Sequence, residues 1–446
     1  MFNTVEIPVW LLLIAGLLAA IAALERIIGP GFRWLLRGRV ERLVARVNAR
    51  LDRKIEPFKL MSRHDWVVRL LYDPKVLEAV ADHAAETGVT GEVALEEARR
   101  YAREIVPGFS ALIYFGFAIK AARWLSAVFF RVRVGKVATE LAAVDRSASV
   151  VLVMNHRSNM DYVLVTWLVS GRVAISYAVG EWARVWPLSA LIRASGAYFI
   201  RRNSRTPLYR RVLARYVQMA TSEGAVQAVF PEGGLSLDGR VGKAKLGLLS
   251  YIWSGWSPDG RDVVFVPVGL AYDRVLEDAL LLRAAKTGER RFRPRLWKIV
   301  WDALRIAARR AGGRKYLYGT AGAGFGAPLS MRDWRLSGGD LEGFSTKLMA
   351  DVEAAVPVLP VPLVAASLVL DCTIAELVGQ LKDKGAVLKL PPGGLSQAEN
   401  EGRAMLQLRG VLDSEGRPRA EMRDLLTFYA ASIRQRLGYS MPNSAP

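Results

Sequence analysis

The chain has 446 residues, with 62 Lys and Arg against 42 Asp and Glu, a formal net charge of +20. A single cysteine, Cys372, excludes an intramolecular disulfide framework and fits a reducing compartment, and three histidines beside it make a zinc site improbable. The length suggests two or three domains, and the positive surplus favours anionic partners: nucleic acid, an acidic membrane surface or a phosphorylated substrate.

In chain order, Ile7 to Leu24 is apolar throughout, near the lower limit for spanning a bilayer. Glu6 precedes it, and Arg26, Arg33, Arg37, Arg39 and Arg42 follow. A signal peptide carries its positive charge before the apolar run, so this order reads as a retained anchor with the bulk of the chain on the cytoplasmic side. A buried or surface-lying helix of a monotopic protein is the alternative. The basic stretch from Arg37 to Arg53 suits a headgroup layer.

Asp73 to Arg103 reads as two helices broken at Thr87-Gly88, with start signals at Asp73-Pro74 and Thr90. Val106 to Val134 interleaves Phe109, Phe115, Phe117, Trp124 and Phe129 with Lys120, Arg123, Arg131 and Arg133. Such a helix lies either in a membrane interface or in a core with its cations snorkelling outward.

The most informative stretch is Val150 to Tyr162, VVLVMNHRSNMDY. An apolar run stopped by polar residues and followed by a new apolar segment reads as strand, turn and helix. Open α/β sheets place their ligands at the ends of such strands. On an unbroken helix His156 and Asp161 would lie on different faces, so they meet only if the chain turns between them. Ser158 and Asn159 are good turn residues. A carboxylate on one ring nitrogen fixes the tautomer and leaves the other nitrogen as a base for a hydroxyl.

Strands are expected at Val173–Val179, Gly196–Arg202, Ala225–Phe230, Val263–Leu270 and Tyr316–Phe325, with helices at Leu208–Thr221 and Ala279–Arg310. The third strand delivers Arg201 and Arg202, whose planar forks suit a phosphate. The fourth ends in Pro231-Glu232-Gly233-Gly234, where glycines let backbone amides approach a ligand. Ser236, Arg240, Lys243 and Lys245 follow with further donors and cations. Pro267 marks its strand as an edge or a bulge. Beyond, Asp340–Val356 is helical, Pro357, Pro360 and Pro362 break it, and Leu363–Leu370 packs as a helix too short to span a membrane. A Pro-Gly linker at Leu390–Ser396 leads to helices at Gln397–Leu408 and Ala420–Leu437 and a terminal tail.

Four blocks in this order resemble the glycerolipid acyltransferase superfamily, most closely its glycerol-3-phosphate acyltransferase branch: Asn155-His156-Arg-Ser-Asn-Met-Asp161-Tyr162, Gly196-Ala-Tyr-Phe-Ile-Arg201-Arg202, Phe230-Pro-Glu232-Gly233-Gly234, and Val266-Pro267-Val268 running to Tyr272. Any one would be a weak signal; the set is specific. The resemblance runs from about Leu71 to about Leu437. It implies an α/β fold: a mixed-sheet acyltransferase domain at 136–335, preceded by an anchor or interfacial segment at 1–36 and a helical region at 37–135, and followed by a helical region at 336–446.

It also implies acyl transfer from acyl-CoA or acyl carrier protein to the sn-1 hydroxyl of glycerol 3-phosphate, at the cytoplasmic face of the cell membrane. His156 would be the base and Asp161 its orienting partner. Arg201, Arg202 and Arg240 would hold the phosphate, and Glu232, Gly233, Gly234 and Ser236 would complete the acceptor pocket. Val266 to Tyr272 would line the acyl route. No metal or cofactor is called for. Two departures bear on the acceptor. Leu235 stands where the family usually has an arginine or a threonine, and Pro231 is more usual in the branch that acylates lysophosphatidate. A lysophosphatidate or other lysophospholipid acyltransferase is therefore the second enzyme reading. Non-catalytic readings, a membrane-attached nucleic-acid-binding protein or a lipid binder, lack a supporting motif.

Overall fold

The computed structural model describes residues 42, 44–49, 51, 53–134, 142–170, 172–180, 188–201, 206–288 and 318–439. The apolar stretch Ile7–Leu24, Arg202, most of the expected helix Ala279–Arg310 and the terminal tail lie outside the described residues. The chain divides into two units, Met1–Leu51 and Asp52–Pro446. In the first, residues 44–48 are helical.

The second unit opens with a helical turn at Pro57–Leu60 and three longer helices, α1 (Arg63–Leu71), α2 (Pro74–Thr87) and α3 (Gly91–Ile105). Each of the three starts on a side-chain cap: Ser62, Asp73 and Thr90 accept from the amides of Asp65, Lys75 and Val93. Gly88 ends α2 in the left-handed region at φ 71°. The aromatic-and-cation stretch is not one helix. Leu112–Ala118 forms a π-helical turn that runs into α4 (Ile119–Phe129), and Arg131–Val134 is a strand, β1. The sheet thus takes its first strand from inside the stretch read as helical. Among the described residues, Leu112–Phe129 is the one unbroken stretch long and apolar enough to cross a membrane, and 28% of it is buried; Pro360–Leu370 and Ile374–Asp383 reach that length only as a pair bent by 107°.

The remaining strands are β2 (Ser149–Met154), β3 (Ser176–Val179), β4 (Tyr198–Phe199), β5 (Gln227–Val229), β6 (Val263–Tyr272), β7 (Thr320–Phe325) and β8 (Leu329–Ser330). They form a mixed sheet in the order β1-β7-β6-β2-β5-β3-β4, with β8 also on β6. From β6 through β4 the strands are parallel, while β7 and β8 run antiparallel to β6. Parallel strands need crossovers, which here are α5 (Met160–Val169), α6 (Leu188–Ala194), α7 (Pro207–Ser222) and α8 (Gly247–Gly255).

All six residues of β2 are buried, as a central parallel strand covered on both faces requires. Its alternation divides the core. Val150, Leu152 and Met154 pack with Phe129, Leu164, Leu363 and Tyr429, whereas Val151 and Val153 face Val212, Val217 and Leu348. Each such side chain contributes roughly 1.5–3 kcal/mol by leaving water, so these two layers, not the caps, hold the sheet in place.

Pro267 lies in a central strand and not at an edge. Its carbonyl accepts from Gly326, so its nitrogen faces the same side. The β8 pairing ends there at Phe265 and the β7 pairing begins at Val268. Gly326 faces Pro267 in the continuation of the β7 pairing, and its N–H bond is not returned because proline has no donor, so the ladder stops at Val268.

The rest of the chain is helical: α9 (Asp278–Thr287), α10 (Met331–Leu336), α11 (Leu341–Ala355), α12 (Pro360–Leu370), α13 (Ile374–Asp383), α14 (Gly394–Leu408) and α15 (Arg423–Leu437). The prolines after Val356 start a helix as well as ending one. Pro360 occupies the first position of α12, where no backbone donor is needed, and Val361 N–H is capped by the Asp273 carboxylate at 2.8 Å. A Cβ on Gly269 or Gly324 would come within 2.1 Å of the backbone at Val356 and Ala355, so glycine lets the end of α11 lie directly on the sheet.

Candidate active site

Where β2 ends, Asn155 replaces the backbone ladder with its side chain. Its amide donates to Leu270 O at 3.0 Å and accepts from Leu270 N–H at 2.7 Å. Both halves of a buried amide are thereby satisfied; leaving one unmade would cost about 1–3 kcal/mol. The main chain is released from the sheet and turns. Helix α5 begins at Met160, so Asp161 sits in its first turn, where a carboxylate favours the exposed N–H groups.

The turn brings His156 and Asp161 together. His156 Nδ1 lies 2.9 Å from Asp161 Oδ2, and both side chains are essentially buried. The same oxygen accepts from the amides of Arg157 at 2.7 Å and Ser158 at 3.0 Å. The other oxygen accepts the Tyr272 hydroxyl at 2.7 Å. A carboxylate held by so many donors is immobile, and it directs the Nδ1 proton. The imidazole is stacked on Phe230, with centroids 4.3 Å apart, and meets the edge of Tyr162. Only Nε2 remains to take a proton from a substrate.

The turn is fixed from outside as well. Glu277, at the start of α9, accepts from Ser158 Oγ at 2.8 Å and from both the backbone and side-chain amides of Asn159. Burial raises the pKa of this carboxyl, against those hydrogen bonds. Arg157 is buried, donates to Gly239 O and lies 5.3 Å from the Phe428 ring centre. Burial lowers its pKa, and the charges of Glu232, Asp161 and Asp238 oppose the shift, as a buried cation requires.

The loop after β5 faces this turn. Glu232 Oε1 accepts His156 N–H at 3.1 Å, and His156 O accepts Ser236 N–H at 2.8 Å. Burial raises the Glu232 carboxyl to about 8, with the His156 amide and Arg157 acting the other way. Gly233 has φ 69°, and a Cβ there would lie 2.9 Å from Lys245 Cδ, so the lysine stem crosses the glycine turn. Gly234 is buried.

Ser236 is engaged within the loop. Its hydroxyl lies 2.8 Å from Arg240 O and 3.1 Å from Asp238 Oδ1 and accepts Gly239 N–H. Arg240 lies toward α11, where its charge and that of Arg436 act on Glu353. A Cβ on Gly239, at φ 82°, would come within 2.1 Å of Phe428 O. The Gln435 amide brackets Val241, accepting its N–H at 2.8 Å and donating to its carbonyl at 2.9 Å. Helix α15 thus shapes the loop.

Arg201 stands apart from this group. It follows β4 at the same end of the parallel strands, and its guanidinium forms a two-pronged pair with Glu104 of α3 at 2.8 and 2.7 Å. His156, Asp161, Glu232, Gly233, Gly234 and Ser236 come together; Arg201 lies at the far side. Sequence reasoning missed the parts played by Asn155, Arg157, Glu277 and Glu104, and it placed Tyr272 on the acyl route, whereas its hydroxyl is bonded to Asp161. A polar residue ending an apolar strand was the available signal for Asn155. The others are brought in by the fold.

Residues 136–271 match the family model described as Acyltransferase. The chain is 28% identical over 279 residues to a glycerol-3-phosphate acyltransferase of Pseudomonas fluorescens (strain SBW25), covering 62% of this chain and 32% of that one. It is 28% identical over 297 residues to the glycerol-3-phosphate acyltransferase of Shewanella amazonensis (strain ATCC BAA-1098 / SB2B), covering 65% and 35%. It thus spans about a third of the length of the curated relatives it matches. Among solved structures, the 1-acyl-sn-glycerophosphate (LPA) acyltransferase PlsC of Thermotoga maritima is 18% identical, with a TM-score of 0.31 over 54% of this chain and 78% of that one. The motif that carries the His156–Asp161 pair falls inside the segment that matches the Acyltransferase model.

Proposed function

We propose that this protein transfers a fatty acyl group from a thioester, acyl-CoA or acyl carrier protein, to the sn-1 hydroxyl of glycerol 3-phosphate. The observation that carries the reading is the buried His156–Asp161 pair at the end of β2. An alcohol needs a base as it attacks. His156 Nε2 takes the hydroxyl proton while the oxygen adds to the thioester carbonyl. The C–S bond then breaks, and the proton passes to the leaving thiolate. Asp161 stabilises the imidazolium in between. A positioned base contributes roughly 10² to 10⁴ in rate, with the remainder from holding two substrates in place. No acyl-enzyme and no cofactor enter this scheme.

In this reading Glu232, against the His156 backbone, binds glycerol hydroxyls, and Arg201, on the same rim of the sheet, binds the phosphate. Leu112, Phe117 and Trp124 are exposed beside Lys120 and Arg123. That combination supports attachment to an acidic membrane surface, with the arginines after Leu24 setting a cytoplasmic orientation. Pro231 and Leu235 favour lysophosphatidate as the second acceptor to test.

The test is thiol release from palmitoyl-CoA by the purified, detergent-solubilised protein, with glycerol 3-phosphate, with lysophosphatidate and with neither. Release dependent on glycerol 3-phosphate is expected. Release only with lysophosphatidate would move the acceptor assignment. No release with either acceptor, and none with acyl carrier protein as donor, would overturn the reading.

A further inference from the structure

We infer that Glu104, on the helical region ahead of the acyltransferase domain, is a positioning residue that presents Arg201 to the acceptor phosphate. The inference rests on the phosphate role of Arg201 proposed above.

A guanidinium carries five N–H donors in a planar fork. Glu104 takes one edge: Nε donates to Oε1 at 2.8 Å and Nη2 to Oε2 at 2.7 Å. Among the described residues nothing takes Nη1 or the second Nη2 hydrogen on the adjacent edge, which suits a second two-pronged contact with phosphate oxygens. The two partners differ in exposure. Glu104 keeps 13% of its side-chain surface and Arg201 keeps 34%, so the carboxylate forms the inner wall and the arginine faces outward.

The arrangement is held on several sides. The guanidinium lies 5.3 and 5.5 Å from the ring centres of Tyr101 and Tyr209. Its backbone N–H donates to Tyr209 Oη at 2.8 Å. Tyr101 donates in turn to Glu97, which lies 3.2 Å from His83 Nε2. The end of α3 is tied down by Arg193, which donates to Glu104 O at 3.0 Å. A long arginine side chain is thereby fixed before any ligand arrives.

Position agrees with the role. β2, β5, β3 and β4 are consecutive and parallel, so Arg201 emerges on the same rim as His156, about 14 Å away at three strand spacings. An arginine side chain, a three-carbon phosphate ester and an imidazole together bridge such a gap. Charge alone argues for the opposite effect, since a carboxylate beside the arginine weakens its attraction for phosphate. If Glu104 were only a competitor, removing it would tighten acceptor binding. If it orients the fork, removing it loosens binding, because the side chain must then be ordered on every encounter.

The sign of that change is the test. KM and kcat for glycerol 3-phosphate would be measured on the full chain for the wild type, Glu104→Gln, Glu104→Asp, Arg201→Ala and the Glu104→Gln/Arg201→Ala double variant. Glu104→Gln is expected to raise KM about threefold to tenfold with kcat within about twofold. Glu104→Asp, which keeps the charge, should recover part of the loss, and Glu104→Gln should add nothing once Arg201 is gone. An unchanged or lower KM in both Glu104 variants, with a raised KM in Arg201→Ala, would overturn the positioning role and leave the phosphate reading standing. An unchanged KM in Arg201→Ala would overturn both. If Glu104→Gln does not fold, the comparison with Glu104→Asp still decides the sign.

Discussion

The turn after β2 and the loop after β5 touch through two hydrogen bonds at His156, yet they are built in different ways. The turn closes largely on itself, since one oxygen of Asp161 gathers the ring of His156 and the amides of Arg157 and Ser158, all within five residues. The loop depends on α15. Gln435 brackets Val241 from 194 positions away, and Gly239 exists as glycine because Phe428 O occupies the place of a side chain. The His156–Asp161 pair is built mainly from its own turn, then, while the loop beside it is assembled by tertiary packing. The first should tolerate changes elsewhere in the fold; the second should not.

Three substitutions press on that contrast. The largest effect is expected from Asp161→Asn, which removes the negative charge that stabilises the imidazolium. Turnover should fall by about 10²-fold or more, with the melting temperature moving far less than the rate. A loss of rate that merely tracked a loss of folded protein would show that the turn is not self-contained.

Next comes Gly239→Ala. It meets both a positive φ and a 2.1 Å clash with Phe428 O, so it should destabilise the fold by about 2–4 kcal/mol, read as a lower denaturation midpoint. A neutral result would separate the loop from α15.

The smallest effect is a pH dependence from Glu232. Burial raises its carboxyl to about 8 in the folded protein, against an ordinary value near 4.3. Between those values the folded state holds a proton that the unfolded chain has released, so this group's contribution to stability declines as pH rises. Glu232→Gln keeps an oxygen for the His156 amide and does not ionise. Its melting temperature relative to wild type should therefore climb from pH 5.5 to pH 8.5. A flat difference would mean that Glu232 is already ionised at the lower pH.

The same contrast explains what could be read from the residues alone. A strand stopped by Asn155, turn formers at Ser158 and Asn159, and two groups that meet only around a bend suggested the His156–Asp161 pair, and the later motif blocks set it above an ordinary buried pair. The doubly covered strands were legible as apolar runs, because burial on both faces leaves that mark. Arg131–Val134 was not, since its alternating arginines hide a strand that only β7 can recruit. Pro267 looked like an edge because a proline cannot return the bond from Gly326, yet β2 on its other side keeps the strand central. Tyr272 and Glu277 reach the turn from 111 and 119 positions away. Nothing near Arg201 in sequence names Glu104, its partner 97 residues earlier.

The central claim, that His156 acts as the base in acyl transfer, is tested most directly by comparing acceptor-dependent thiol release in the wild type and in His156→Ala under identical detergent conditions. The variant is expected to keep its circular dichroism spectrum and lose release by about 10²- to 10⁴-fold. A folded variant that releases thiol at the wild-type rate would remove His156 from the chemistry and contradict the account.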